Sequence, residues 1–196
     1  MKITLGNNSI SHRQLNQPHK IEIANEQSQP IDSDPLISAV KLILNDHSIE
    51  KSEISIGIVD DPAMRAYNKQ YLNHDYETDV LSFVLDWDET IGALSGQLIV
   101  STDTAETMAS QYGSTMQEEL LLYVIHGTLH LVGYDDKDPA DETEMRDAEK
   151  QYLANFGVEH RWGASEQEQN AIDDKAAGSE SNSKGNKRSD DGEVPL

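Results

Sequence analysis

The segment TMQEELLLYVIHGTLHLVG, residues 115–133, places the tightest constraint on how this chain can fold. Thr115 and Glu118 have the spacing of a capping box, and Gly133 is suited to end a helix. Between these signals the helix is apolar on nearly every side, which is typical of a helix in a protein interior. We therefore predict a central helix that the rest of the fold surrounds.

Other segments show the periodicities of strands and helices. β-branched or alternating runs predict strands at 20–25, 53–61, 79–86 and 96–103. Apolar one-face spacing, capping residues and terminal glycines predict helices at 35–46, 62–72, 104–113 and 138–157. Asp34, Asp61 and Asp138 are placed to cap three of these helices. The pattern predicts an α+β fold, with a small mixed sheet packed against several helices and the 115–133 helix at its centre.

The two ends of the chain differ from its middle in composition. Residues 163–196 are rich in Gly, Ser, Asn and charged side chains, and they hold few large apolar ones. Such a segment cannot bury enough surface to offset the entropy of ordering, so it predicts a disordered tail. Residues 1–17 are predicted to be poorly ordered as well. One folded domain, 18–162, remains between them.

The charge of the chain limits its partners. Its 36 acidic and 15 basic residues give a net charge of −21. The predicted tail holds 8 acidic and 4 basic residues, which leaves 28 and 11, a net charge of −17, for residues 1–162. A surface this acidic repels phosphate backbones at long range, so any role with nucleic acid needs a local patch or a metal ion. The sequence also lacks an apolar run long enough for a signal peptide or a membrane span, so we expect a cytoplasmic protein without a membrane partner. Because of its acidic charge, we expect no DNA partner either.

Two histidines of the central helix, His126 and His130, are spaced to leave it on the same face. Two imidazoles at this spacing can share one tetrahedral ion. The predicted break at Gly133 allows the chain to fold back with a third ligand, for which Asp135 and Asp136 are the candidates. With no cysteine in the chain, three ligands and an open position favour a catalytic site over a structural one.

Two other interpretations of these histidines stay open. They can be ordinary core histidines, although two neutral imidazoles inside an apolar helix then need polar partners. The spacing also occurs in zinc proteases, but there a glutamate general base follows the first histidine, whereas this chain has Gly127. A glycine inside a helix lowers stability by about 1 kcal/mol relative to alanine. Its presence at this position therefore indicates that another group approaches the helix backbone too closely for a side chain.

The string HGTLHLVGYDD, 126–136, resembles the signature of the YbeY family of metal-dependent endoribonucleases, His-Gly-x-Leu-His-Leu-x-Gly-Tyr-Asp-His. Every position fits except the last. The block YNKQYLNHDYETDVLSFVLD (67–86) and the strand GQLIVS (96–101) are similar to two further family motifs, and the likeness runs from about 53 to 157. It implies an α+β fold and a cytoplasmic, single-strand-specific endoribonuclease that matures small-subunit ribosomal RNA and takes part in ribosome quality control.

The resemblance also implies a site. The family holds one zinc ion with three histidines, and these fall on His126, His130 and Asp136. His126 is then expected to be catalytic as well as a ligand, and the aspartate leaves room for other divalent metals. His74 and Ser82 fall in the family block and are expected to contact RNA. The implied partners are single-stranded ribosomal RNA, the small ribosomal subunit and its assembly factors.

One departure from the family pattern bears directly on activity. The family has an arginine thought to serve the RNA phosphate, and this chain has Leu72 there. Two alternatives to the endoribonuclease stay open. One is a metal-dependent hydrolase of another substrate such as peptides, and the other is a non-catalytic ribosome-assembly factor.

Overall fold

A computed structural model describes residues 18–159, which form one four-stranded sheet and five helices. The strands are β1 (His19–Asn25), β2 (Lys51–Val59), β3 (Val80–Asp88) and β4 (Ala93–Ser101). The helices are α1 (Ser33–Asp46), α2 (Asp61–Leu72), α3 (Thr102–Tyr112), α4 (Met116–Leu131) and α5 (Pro139–Ala154). The predicted terminal segments, 1–17 and 163–196, lie outside the described residues.

The sheet is mixed, as predicted. Its strand order is β1-β2-β4-β3, in which β1, β2 and β4 run parallel and β3 runs antiparallel to β4. Helices α2 and α4 pack on opposite faces of the sheet, because Leu81 of β3 joins a buried cluster with Met64 of α2 whereas its neighbour Val80 lies against α4. The alternation of side chains along β3 therefore separates the two layers. The α+β prediction is confirmed.

The prediction of a central helix is also confirmed. Helix α4 contacts α1, α3 and α5 as well as β3 and β4, and most of its residues are buried. Its capping box is formed: the Thr115 hydroxyl accepts from the Glu118 N–H at 3.2 Å, and the Glu118 carboxylate accepts from the Thr115 N–H at 2.7 Å. Neither α4 nor any other helix of residues 18–159 combines the length and apolar character that a bilayer crossing requires.

Two of the predicted N-caps are wrong by one or two residues. Helix α1 is capped by Asp32, whose carboxylate accepts from the Asp34 N–H at 3.1 Å, and not by Asp34. Helix α2 is capped by Asp60, which accepts from the Ala63 N–H at 3.0 Å, and not by Asp61. Aspartate is favourable both as a cap and in the first turn, so closely spaced aspartates leave the start of a helix ambiguous. Asp138 caps α5 as predicted.

The close approach expected at Gly127 is an approach of α4 to the sheet. A Cβ atom at this position would lie 2.9 Å from both Leu98 Cδ2 and Val80 Cγ2. The absence of a side chain thus lets β3 and β4 come into contact with the helix backbone beside His126. The glycine lowers helix propensity but sets the spacing between the helix and the sheet.

We expect Gly127→Val to lower the free energy of unfolding by about 1–3 kcal/mol, because the added side chain overpacks the contact with Leu98 and Val80. Gly127→Ala should cost less, since its single methyl gains helix propensity and meets only movable side-chain ends. Urea denaturation of both variants measures the difference. A Gly127→Val variant as stable as the parent would show that this contact does not set the spacing.

Candidate metal centre

His126 and His130 lie side by side on α4, with their ring centroids 4.5 Å apart. Their Nε2 atoms approach to 2.9 Å, and their side chains are 19% and 24% exposed. This is the one-face arrangement that the spacing predicts. Both rings are thus largely buried but keep some contact with solvent.

The chain folds back after α4 and brings a carboxylate to the two rings. Gly133 adopts a positive φ of 106°, a conformation that favours glycine, and the turn that follows carries Asp136. Asp136 Oδ2 lies 3.7 Å from His126 Nε2 and 3.9 Å from His130 Nε2. The three candidate ligand atoms lie within 4.8 Å of one another. Within residues 18–159, this is the group of side chains whose spacing suits a shared metal ion.

Hydrogen bonds to the far side of each ring determine which nitrogen faces the cluster. His126 Nδ1 lies 2.5 Å from Glu149 Oε1, and His130 Nδ1 lies 2.9 Å from the Tyr134 carbonyl oxygen. Both partners are acceptors, so each neutral ring carries its proton on Nδ1 and presents the Nε2 lone pair. Two facing lone pairs repel unless a proton or a metal cation lies between them. A tetrahedral zinc ion with arms of about 2.0–2.1 Å separates its nitrogens by roughly 3.3 Å, so the pair needs only a small opening to hold one.

Glu149 is the residue of the site that sequence reasoning missed. It lies on α5, its side chain is 0% exposed, and Arg146 Nη1 lies 3.6 Å from its Oε2. A buried carboxylate is costly unless it is paired, and here His126 and Arg146 supply the partners. Its signal in the sequence is its spacing, because it shares the buried face of α5 with Met145 and Tyr152. A glutamate at a core position of an otherwise apolar face indicates a buried polar partner.

The carboxylates around His126 make the centre electronegative. Burial lowers the pKa of His126, but the hydrogen bond and charge of Glu149, aided by the charges of Asp79 and Asp136, outweigh it and raise the pKa. The same negative charges that favour a proton on the imidazole favour a divalent cation beside it. The donor set of two imidazoles and a carboxylate is one that zinc accepts.

The two consecutive aspartates of the turn have different partners. Asp135 Oδ2 accepts from Lys137 Nζ at 2.9 Å, and its Oδ1 accepts from the Asp136 N–H at 2.9 Å. These bonds, the one to Lys137 first, lower the pKa of Asp135, and its carboxylate is not among the three groups that cluster within residues 18–159. Asp136 is therefore the third member of the cluster, in agreement with the register of the signature.

The two residues expected to contact RNA lie elsewhere. His74 follows α2 in an exposed loop, where its ring stacks on Tyr76 at 5.2 Å, and it is not in the cluster found within residues 18–159. Ser82 is half-buried on β3, two residues after Val80, and so lies on the sheet face that packs against α4. Ser82 therefore shares a face with the histidine helix, whereas His74 is held by its own loop. Contact of these two residues with RNA stays a prediction.

Comparison with known proteins places this centre in a family. The family profile described as Endoribonuclease YbeY matches residues 22–157, more than half of the chain. The chain belongs to the YbeY family. The YbeY match runs from within β1 to the end of α5 and includes the two histidines, Asp136 and Glu149.

Two relatives named Endoribonuclease YbeY agree with the family profile. Endoribonuclease YbeY of Heliobacterium modesticaldum is 35% identical over 127 residues, which cover 59% of this chain and 76% of the relative. The Salinibacter ruber Endoribonuclease YbeY is 34% identical over 143 residues, covering 69% of this chain and 91% of the relative. A Thermotoga maritima protein solved in solution is 24% identical with a TM-score of 0.49, covering 86% of this chain and 99% of that one.

We expect Glu149→Gln to weaken zinc binding by roughly 10- to 100-fold, because the carboxylate that orients His126 and raises its basicity is lost. Competition with a chromophoric chelator measures the affinity. Asp147→Asn, an exposed position on the same helix, is the matched control and should bind zinc like the parent. Equal zinc affinity in Glu149→Gln and the parent would show that Glu149 only fills the core.

Proposed function

We propose that this chain is a single-strand-specific, metal-dependent endoribonuclease that matures the 3′ end of small-subunit ribosomal RNA and acts in ribosome quality control. Its place is the cytoplasm, and its partners are ribosomal RNA, the small ribosomal subunit and its assembly factors. The unit proposed to carry the activity is the domain expected from the sequence, residues 18–162. Membership in the YbeY family supports the endoribonuclease role.

The convergence of His126, His130 and Asp136 is the observation that carries the proposal. Three ligands leave a tetrahedral ion with one open position, the arrangement of catalytic rather than structural zinc sites. The Asp136 side chain is 42% exposed, so a substrate could reach an ion that these residues would hold. We assign one zinc ion to the site. The carboxylate makes Mn²⁺ or Mg²⁺ better competitors than a third imidazole would.

The reaction is hydrolysis of an RNA phosphodiester. When bound, a divalent ion supplies Lewis-acid polarisation of a phosphoryl oxygen and an activated water. The protein groups hold this chemistry in place: His126 and His130 present Nε2, and Glu149 and the Tyr134 carbonyl keep both rings in that tautomer. His126 is the catalytic residue of the proposal. Ser82, on the sheet face beside α4, and His74, in the loop after α2, are proposed to contact the substrate.

The charge of the chain determines how RNA can be held. At a net charge of −17 for residues 1–162, long-range attraction of phosphate is absent. The two basic side chains of α2 nearest its end, Arg65 and Lys69, both bind Asp75, at 2.8 and 2.7 Å. RNA is therefore held mainly by the ion, by contacts to bases, or by a ribosomal partner that delivers it.

We expect His126→Ala to lose bound metal and RNA cleavage together, because the variant removes one of three ligands. Elemental analysis of the purified protein and cleavage of ribosomal RNA measure the two properties, with casein as the substrate for the peptide alternative. Asp135→Ala, whose carboxylate lies outside the cluster, is the control. Stoichiometric metal in His126→Ala would contradict the metal centre. Ribosome cosedimentation of a parent that does not cleave RNA would select the non-catalytic assembly factor.

Substitutions at Asp136 test the third ligand. Asp136→His should retain or tighten zinc binding, because imidazole restores the family's ligand, whereas Asp136→Ala should weaken it. Competition with a chromophoric chelator measures the zinc affinity of both variants. The control Asp135→Ala should bind zinc as tightly as the parent. Equal affinity in Asp136→Ala and the parent would remove Asp136 from the site.

A substitution at Leu72 tests whether the arginine that the family has at this position would strengthen RNA binding. Leu72 is 46% exposed at the end of α2, so it does not pack in the core and an arginine can be placed there without burial. We expect Leu72→Arg to bind single-stranded RNA more tightly and to steepen the salt dependence of the binding constant by about one unit. Leu85→Arg, at another exposed leucine, controls for added charge alone. Equal effects of the two variants would show that position 72 has no special role.

A further inference from the structure

An apolar cleft opens beside the histidine pair. It has a volume of about 370 Å³ and lies between strand β3 and the C-terminal end of α4. Val84 and Trp87 form one wall, His130 and Leu131 form another, and His47 and Ile49 close it from the segment between α1 and β2. The cleft shares His130 with the metal centre and is therefore continuous with it. Its volume is near the lower end of the roughly 300–1,000 Å³ typical of small-ligand sites, which suits a single base.

A β-bulge aims the two β3 side chains into the cleft. Val84 pairs with Gly96 and Trp87 pairs with Leu94, and the register shifts between Val84 and Asp86. Residues three apart in a regular strand point to opposite faces, but the extra residue, Leu85, places Val84 and Trp87 on the same face. That face is the one against α4, because a Cβ atom on Gly96 would lie 2.8 Å from Leu131 Cδ1.

These apolar side chains remain open to solvent. Val84 is 52% exposed and Trp87 is 46% exposed, although both face the helix layer. Helix α4 ends at Leu131, so within residues 18–159 this helix does not extend over that part of the sheet. A large aromatic ring left open beside a predicted catalytic site is a candidate contact for a planar ligand.

The charge around the cleft does not repel an anionic substrate. The described residues that line it include no aspartate or glutamate, although the chain holds 36 of them. A neighbouring cavity of about 400 Å³, on the other side of His47 and Gly133, is lined by Asp135, Asp141 and Glu144. A polyanion is repelled from the acidic cavity and tolerated at the apolar cleft. The cleft is thus the approach to the metal centre that suits RNA.

We propose that the cleft is a nucleobase subsite in which one base of a single-stranded RNA stacks on Trp87. This inference rests on the proposed endoribonuclease function and names how its substrate is held. Stacking on an aromatic ring is tolerant of sequence and independent of phosphate contacts, as an acidic RNA-binding protein requires. The base in the cleft places its own backbone beside His130, and so orients the adjoining phosphodiester toward the metal centre.

The test is binding of a 2′-O-methyl oligoribonucleotide to the full-length, zinc-loaded protein, with an abasic oligomer of equal length and charge as the reference. The probe is recovered and checked to be intact. We expect Trp87→Ala to weaken binding of the base-containing probe by roughly five- to a hundred-fold and to leave binding of the abasic probe unchanged. Trp87→Phe should retain most of the affinity, because its ring still stacks. Leu85→Ala, exposed on the same strand but outside the cleft, should bind like the parent.

A second readout does not depend on whether Trp87→Ala folds. The chain has two tryptophans, and Trp162→Phe leaves Trp87 as its single tryptophan, whose emission can be excited selectively over that of the tyrosines. The base-containing probe should quench this fluorescence, and the abasic probe should not. Absence of quenching, or equal affinity of the parent for both probes, would overturn the subsite. Quenching by a protein that cleaves no RNA would support the base subsite and contradict the endoribonuclease function. Cleavage of RNA without quenching would contradict the base subsite and support the endoribonuclease function.

Discussion

The contact between α4 and the sheet at Gly127 determines where the rest of the site can lie. Val80 and Leu98 reach the helix backbone there because no Cβ atom stands between them. With the helix held at this distance, His126 and His130 take positions defined by two layers of packing rather than by a loop. Sites built on packed helices and strands hold their geometry more closely than sites on loops. The turn after Gly133 then needs to bring only one ligand to a pair that is already in place.

The acidic character of the chain acts in opposite directions at this site. Glu149, Asp79 and Asp136 raise the pKa of His126 and, by the same field, stabilise a bound cation. The charge that favours a metal ion also repels a phosphate backbone. The proposed substrate is therefore held by contacts that do not need a basic surface, namely the ion and a base stacked on Trp87. This division explains how one chain can combine a net charge of −21 with a proposed role on RNA.

Periodicity and capping chemistry predicted the elements of the fold because these features act within a few residues. The capping box of α4 and the cap at Asp138 agree with the structure, and so does the mixed sheet. The caps assigned to Asp34 and Asp61 do not, because a neighbouring aspartate in each case satisfies the same backbone donors. Local rules choose between such neighbours poorly, since a carboxylate in the first turn is favourable either way.

By itself the sequence determined that a buried apolar helix carries two histidines on one face, since both facts follow from the order of residues along α4. Which carboxylate meets those histidines depended on the turn after Gly133, where Lys137 binds Asp135 and leaves Asp136 to the cluster. Glu149 behind His126, and Trp87 beside His130, came from elements far along the chain. Their positions follow from the packing of α5 on α4 and from a bulge in β3. Such contacts are decided by tertiary structure, because no local pattern records which elements will pack together.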